Sequence, residues 1–233
     1  MSIKLFNKYS IKARIIPAIF TVLIPLIIFN HFYTSPALTN LLGAFKATEA
    51  ISNISISLIL MFYLSQLARI IGKKLFENRY FNDELKMPTT EFMLYSNSQY
   101  SDEYKQRFAS KVKSEFNIGI CSKNQEINND SNARKQIVEA MSSVRKSLFK
   151  NKFLLQHNIE YGAMRNTIGG SVLGLILCIL NCIFFYYVIP IEFAIYSSLV
   201  LGIIYSIFIV FSKSIINSYG KAYAKILFRE FIG

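Results

Sequence analysis

The sequence predicts a mainly α-helical, multi-pass membrane protein in which two transmembrane hairpins flank a small, mostly helical insert. Only 17% of the 233 residues are charged, whereas about 25% is usual in a soluble domain. Four stretches contain no Asp, Glu, Lys or Arg at all, namely residues 15–45, 50–68, 166–191 and 193–212. A helix that crosses a bilayer needs roughly 20 mostly apolar residues, so each stretch is a candidate span.

The first predicted hairpin occupies residues 1–72 and holds the first two spans. Four basic residues precede the first apolar run, as in a secretory signal, but the run is long and no small-x-small cleavage site closes it. We therefore expect a retained span. It contains Pro17 and Pro25, which a span tolerates where neighbouring helices satisfy the carbonyl groups that the prolines leave without a donor.

The predicted cytosolic insert, residues 73–165, contains two amphipathic helices. The first covers residues 101–119, is capped by Ser101, and carries apolar side chains every four residues at Tyr104, Phe108, Val112 and Phe116. The second starts at Ala133 and carries an apolar stripe at Ile137, Met141, Val144 and Leu148. The second helix either docks on the first or lies along the membrane surface, and we favour docking.

Less regular segments separate these helices. In residues 88–97, Phe92, Leu94 and Ser96 alternate with Met93 and Tyr95, so neither face is fully polar, which predicts a short, mostly buried strand or extended segment. The polar stretch 124–132 predicts a loop. Gly119 is expected to end the first insert helix, and Gly162 is expected to interrupt the helix just before the third span.

The second predicted hairpin covers residues 166–212 and is followed by an amphipathic cytosolic tail, residues 213–233. Lys221, Lys225 and Arg229 recur every four residues in the tail, which indicates a helix that lies on the membrane surface.

The distribution of basic residues predicts that the N-terminus, the insert and the C-terminus are cytoplasmic. Residues 69–165 contain seventeen Lys and Arg, whereas the two short loops on the other side carry one between them. The basic residues at the helix exits should meet lipid headgroups: Arg69, Lys73, Lys74, Arg165 and Lys213.

Small residues four apart in the last two spans predict close helix packing. They are Gly170 and Gly174 in the third span, and Ser198, Gly202 and Ser206 in the fourth. Such residues let two helix backbones approach closely in lipid. They would join these two spans to each other, or join copies of the chain in a homo-oligomer.

Polar side chains inside the spans allow two interpretations. Asn53, Ser57 and Gln66 of the second span and Asn181 of the third would line a wet path if several copies assembled. Alternatively, they bond across helices within one compact bundle, which we favour.

The sequence argues against an enzyme and predicts no cofactor and no bound metal. His31 and His157 are the only histidines and lie far apart in the chain, and neither belongs to a metal-ligand spacing. We find no phosphate loop, nucleophile elbow or dinucleotide fingerprint. Residues 69–165 carry only six net positive charges, interleaved with acids, which argues against direct nucleic-acid binding.

The hairpin–insert–hairpin arrangement, the segment MPTTEFMLYS with the helix that follows it, and EYGAMRNTIGGS resemble small membrane effectors of bacterial anti-phage systems, above all the retron type. The resemblance implies a protein of the bacterial inner membrane that perturbs the membrane when triggered and causes growth arrest or death. It also implies a regulatory complex with a reverse transcriptase and its RNA–DNA hybrid, or with another signalling protein.

Two other functions fit the same sequence. One is a small channel or transporter, although no mid-span Asp, Glu, Lys or Arg offers the ionisable site that coupled transport needs. The other is a membrane anchor or adaptor whose cytosolic insert binds a partner protein.

Overall fold

The computed structural model describes residues 7–33 and 61–233, and these residues contain nine helices and no strand. The predicted mainly α class is therefore confirmed for this part of the chain. We number the helices α1 (8–32), α2 (61–81), α3 (Pro88–Glu91), α4 (Asp102–Phe116), α5 (Lys123–Asn128), α6 (Asp130–Ser147), α7 (Lys152–Tyr187), α8 (Glu192–Val210) and α9 (Ser212–Ile232).

Three of these helices are long and apolar enough to cross a membrane. They are Lys8–Phe29, Lys152–Tyr187 and Glu192–Val210, and they correspond to the first, third and fourth predicted spans. The predicted second span, residues 50–68, lies mostly outside the described residues, and its described end, from residue 61, is helical.

The chain divides into two compact units. The bundle unit comprises Met1–Phe76 and Gly162–Ser212, and the insert unit comprises Glu77–Tyr161 and Lys213–Gly233. Each unit therefore takes two separate segments of the chain.

The core of the insert unit is built from α4, α6 and α9. Phe108 and Val112 of α4 and Ile137, Met141 and Val144 of α6 are all buried in one cluster. These are members of the two apolar stripes that the spacing predicts, so the prediction that the two helices dock is confirmed.

Helix α9 completes this core and does not lie on a membrane surface as the sequence predicted. Its buried side chains are Tyr223, Ala224, Leu227, Phe228 and Phe231. Lys221, Lys225 and Arg229 are exposed on the other side of the helix. The amphipathic pattern is real, but a pattern alone does not say whether lipid or protein covers the apolar face.

Three local predictions in the insert are wrong. Residues 88–97 form one helical turn with Pro88 at its start, followed by further turns, because proline is pre-organised for a first helical position. The predicted loop 124–132 is mostly helix, since Ser122 and Gln125 form a capping box for α5 and Asn129 caps α6. Gly119 does not end the first insert helix: α4 already ends at Phe116, because the following residue, Asn117, adopts a left-handed φ of 56°.

The predicted break at Gly162 is also wrong, because α7 runs without interruption from Lys152 to Tyr187. The glycine serves close packing instead. A Cβ at Gly162 would lie 3.0 Å from Tyr9 Oη and 3.3 Å from Ala13 Cβ, so α1 passes directly over this point of α7.

A strained turn follows α2 in the insert unit. Asn82, Asp83 and Glu84 have φ values of 45°, 49° and 74°, and left-handed backbone costs about 1–2 kcal/mol per non-glycine residue. Thr90 Oγ1 donates to Glu84 O at 2.8 Å, and Arg145 Nη2 donates to Glu84 Oε2 at 2.5 Å. Burial alone would lower the pKa of Arg145, but the hydrogen bond to Glu84 raises it, so the guanidinium keeps its charge and holds the turn.

Candidate functional site

Helix α1 of the bundle unit contains two wide turns, each placed directly before a proline. Ile16 N–H donates to Ile11 O and Ile24 N–H donates to Ile19 O, five residues back instead of the usual four. Proline lacks an N–H, and its ring crowds the carbonyl four residues earlier. The wide turns make room for the rings, and such turns occur frequently at functional sites.

The carbonyl that Pro17 leaves without a donor is bound by a side chain of α7. In a regular helix the N–H at position 17 would donate to Ala13 O, but Pro17 has no N–H, and here Asn166 Nδ2 donates to that oxygen at 2.5 Å. Asn166 is fully buried, and its own Oδ1 accepts from Arg165 Nε at 3.3 Å. The amide therefore repairs the first break in α1.

Two further side chains bind α1 around its second proline. Tyr205 Oη of α8 donates to Phe20 O at 2.7 Å. Phe20 lies five residues before Pro25, so in a wide turn its carbonyl would accept from the N–H that Pro25 lacks. Asn181 Nδ2 of α7 donates to Pro25 O at 2.9 Å. Within the bundle unit, α7 and α8 thus hold the proline-containing helix by its backbone, as a span with prolines requires.

The predicted packing glycines of α7 face α1. A Cβ on Gly170 would lie 3.0 Å from Thr21 Cβ, and a Cβ on Gly174 would lie 2.7 Å from Tyr205 Cε2. The neighbouring Gly169 faces the backbone of α2, because its Cβ would lie 2.7 Å from the Cα of Gly72. Because these glycines have no side chains, α1, α2 and α8 can all pack closely against the same part of α7.

Of the small residues of α8, Gly202 lies against α7 and Ser206 bonds within its own helix. Gly202 faces α7, since its Cβ would be 3.6 Å from Leu175 Cδ1 and 3.8 Å from Cys178 Cβ. Ser198 is fully buried, and Ser206 Oγ donates to Gly202 O at 2.8 Å. The predicted packing face therefore lies within a single chain here, and its role between copies stays a prediction.

The residues of the predicted polar path are only partly described. Asn181 is 4% exposed and bonds to Pro25 O, whereas Gln66 Oε1 accepts from Arg69 Nη1 at 3.4 Å. Asn53 and Ser57 lie outside the described residues. Asn181 thus has the cross-helix role of the second interpretation in this structure, and a path formed by several copies stays a prediction.

Of the predicted membrane-surface residues, Lys213 lies at the start of α9, whereas Arg69, Lys73 and Lys74 lie within α2 and Arg165 lies within α7. Lys73, Lys74 and Lys213 are exposed. Arg69 and Arg165 are half-buried, Arg69 against Gln66 and Arg165 against Asn166. Arg69 and Arg165 both act electrostatically on Arg14, so positive charges of α1, α2 and α7 gather within the bundle unit.

No group of three or more His, Cys, Asp or Glu within 7–33 and 61–233 is arranged to hold a metal ion. His157 Nδ1 lies 3.4 Å from Glu160 Oε2 on one exposed turn of α7. These contacts suggest no catalytic constellation, and the absence of enzymatic activity stays a prediction.

The sequence patterns did not identify Asn166, Thr21 and Tyr205 as parts of this site. Tyr205 stands three residues after Gly202, which places it next to the small face of α8, and Asn166 opens the third charge-free run. These positions single out two polar side chains in apolar runs, but no sequence pattern pairs either of them with α1.

Tyr205→Phe is expected to weaken the bundle modestly, because Phe20 O loses its donor while the ring keeps its packing. Hydrogen bonds between membrane helices contribute on average about 0.6 kcal/mol and up to about 1.7 kcal/mol. The measurement is the thermal midpoint of the purified chain in detergent. Tyr196→Phe on the same helix is the control, since Tyr196 is 63% exposed. Equal midpoints for the two variants would show that the Tyr205 hydroxyl does not hold α1.

No protein family, curated protein or solved structure matches this chain. The function is therefore argued from the residues described above.

Proposed function

We propose that this chain is an integral protein of the bacterial inner membrane that perturbs the membrane when triggered, and so causes growth arrest or death. The observation that carries the membrane part of this proposal is the uncovered apolar surface of the candidate spans. The resemblance to retron-type effectors carries the part about cell death.

The outer faces of α7 and α8 have no protein cover within the described chain. Only 17% of the most apolar 18-residue stretch of α8 is buried. Large side chains such as Ile179, Ile183, Val200 and Ile203 are each more than half exposed. In water these contiguous faces would drive aggregation, whereas lipid tails cover them at no cost. Three spans with such faces support insertion in a bilayer.

The positive-inside rule supports cytoplasmic placement of the N-terminus, the insert and the C-terminus. The insert unit has its own apolar core, so it can act as a folded receiver of a signal. On this proposal it binds the regulatory partner, a reverse transcriptase with its RNA–DNA hybrid or another signalling protein.

The proline-containing helix α1 is the element best suited to change conformation on triggering. Two wide turns weaken its own hydrogen bonding, and Asn166, Asn181 and Tyr205 hold it through its backbone carbonyls. Release of those bonds would expose polar backbone inside the membrane, which requires water or other polar groups as partners. A homo-oligomer that presents Asn53, Ser57, Gln66 and Asn181 would supply such a polar path.

Induced expression in a bacterial host tests the proposal. We expect growth arrest together with loss of membrane potential, measured with a potential-sensitive dye. Gly174→Leu should abolish both effects, because its side chain would displace Tyr205 and Thr21. Ile176→Leu is the matched control on the same helix, because Ile176 is 50% exposed and a leucine there has room without displacing a neighbouring side chain.

Harmless expression with intact potential, at levels confirmed in the membrane fraction, would contradict the proposal. The same holds if Gly174→Leu is as toxic as the unmodified chain while it still reaches the membrane.

A membrane anchor or adaptor is the second candidate, and the separate core of the insert unit favours it. On this alternative the full-length chain, extracted in detergent, retains a protein partner while the potential of the producing cells stays intact. That combination would replace the effector proposal by the adaptor.

A further inference from the structure

Two neighbouring cavities lie beside α9 in the insert unit and share Gln99 in their walls. The first, of about 470 Å³, is mostly polar and is lined by Lys86, Asn97, Asn217 and Lys221 among others. The second, of about 490 Å³, is mostly apolar and is lined by Tyr100, Tyr104, Lys225, Ile226 and Arg229 among others. Both volumes are within the range of small-molecule sites.

Exposed cations border both cavities. Lys221, Lys225 and Arg229 recur every four residues of α9, so their Cα atoms follow one another at about 6 Å along the helix. Lys86 lines the polar cavity from the turn before α3. Within the described residues no carboxylate forms an ion pair with Lys86, Lys221 or Lys225.

The acidic residue of the polar cavity does not cancel this charge. Glu91 lines that cavity, but Arg134 Nη1 contacts Glu91 Oε1 at 2.5 Å. The lysines of the cavity therefore remain available to an anionic ligand.

The apolar cavity offers aromatic surface next to these cations. The rings of Tyr100 and Tyr104 are stacked, with centroids 4.5 Å apart and planes 12° apart. Phe92 and Phe228 contact the ring of Tyr100 edge-on, with centroids at 6.0 Å and 5.5 Å, and fix its orientation. Stacked and fixed aromatic rings are a surface on which a planar ligand ring can pack.

Two buried charges hold the segment that separates the cavities in one shape. Glu126, 7% exposed, accepts from the backbone N–H groups of Tyr95 and Ser96 at 2.6 Å and 2.9 Å. Lys105, 1% exposed, donates to Asn97 O at 2.5 Å. Burying a lysine and a glutamate to fix an irregular segment is costly, and a pre-organised wall of a ligand site explains the arrangement.

We propose that this groove binds a phosphorylated small molecule that carries an aromatic ring, as nucleotides do. Lys86 and Lys221 hold the phosphate in the polar cavity, while Tyr100 and Tyr104 pack against the ring in the apolar cavity. Lys225 lines the apolar cavity one helical turn after Lys221 and contacts the ligand's phosphate side. Lysine binds phosphate as a point charge, and the amides of Asn97 and Asn217 add neutral hydrogen bonds. The proposal concerns ligand binding alone and does not depend on membrane damage.

Calorimetric titration of the full-length chain in zwitterionic nanodiscs tests the proposal, with ADP and GDP as probes. We expect saturable binding of at least one of them. Lys221→Gln combined with Lys225→Gln should weaken that binding at least about tenfold, since two charge-assisted bonds are lost. Both lysines are exposed, so this variant should fold. Lys135→Gln, an exposed lysine of α6 outside both cavities, is the matched control and should bind like the unmodified chain.

Glycerol 3-phosphate distinguishes a nucleotide from a lipid headgroup, because it carries the phosphate without the ring. Binding at least about tenfold weaker than that of the better nucleotide supports the proposal. Equal binding would overturn it in favour of a headgroup site. If neither ADP nor GDP bound at millimolar concentration, the proposal would also be overturned. The same holds if the double variant bound the nucleotide with undiminished affinity.

Discussion

Gly169→Ala is expected to destabilise the bundle unit strongly, because the added methyl group would meet the backbone of α2. The new Cβ would lie 2.7 Å from the Cα of Gly72, and closer still to the Gly72 backbone nitrogen and to Ala68 O. Backbone atoms of a packed helix cannot turn aside as a flexible side chain can, so α2 or α7 must shift. Overpacking of this kind typically costs about 1–3 kcal/mol, and we expect a loss at the upper end of that range.

Gly202→Ala is the matched control for this change. It makes the same substitution in another candidate span, but its Cβ would meet Leu175 Cδ1 at 3.6 Å, an ordinary contact distance. The chain has no Trp, so thermal midpoints in detergent are best followed with a thiol-reactive dye that reports exposure of the buried Cys121 and Cys178. Similar midpoints for the two variants would show that α2 and α7 do not approach as closely as the structure has them.

The sequence anticipated features of the fold that depend on local chemistry. The charge-free runs predicted the three candidate spans, and the four-residue apolar spacing predicted α4 and α6. Both signals reflect solvent preference and helical period, which a single segment carries in full. The helical turn at Pro88 and the capping of α5 by Ser122 and Gln125 were missed, although each also rests on local side-chain chemistry.

Features that depend on a partner segment were not predictable. The amphipathic face of α9 fits a membrane surface as well as a protein core, and only the assembled unit shows Leu227 and Phe228 against α4 and α6. In the candidate site, Gly170 and Gly174 were predicted to pack, but their contact with Thr21 and Tyr205 depends on the route of α1. The bond from Asn166 to Ala13 O joins residues 153 positions apart, and no local pattern encodes it.

Phe228→Ala is expected to open the insert unit. The ring is fully buried, and its centroid lies 5.2 Å from that of Phe108 and 6.5 Å from that of Phe92. Replacing a buried Phe by Ala typically costs about 3–5 kcal/mol, a large part of the roughly 5–15 kcal/mol that stabilises a domain. Phe149→Ala is the matched control, because Phe149 is 69% exposed and the same atoms are removed at no cost to the core.

The reactivity of Cys121 measures this opening in the full-length chain. Cys121 belongs to the same core and is 8% exposed. Burial raises the pKa of its thiol, so at neutral pH the folded unit keeps it in the unreactive protonated form. Maleimide labelling, quantified on the Cys121 peptide by mass spectrometry, should therefore be much faster in Phe228→Ala than in Phe149→Ala. If α9 lay on the membrane surface instead of in this core, both variants would label at the same slow rate.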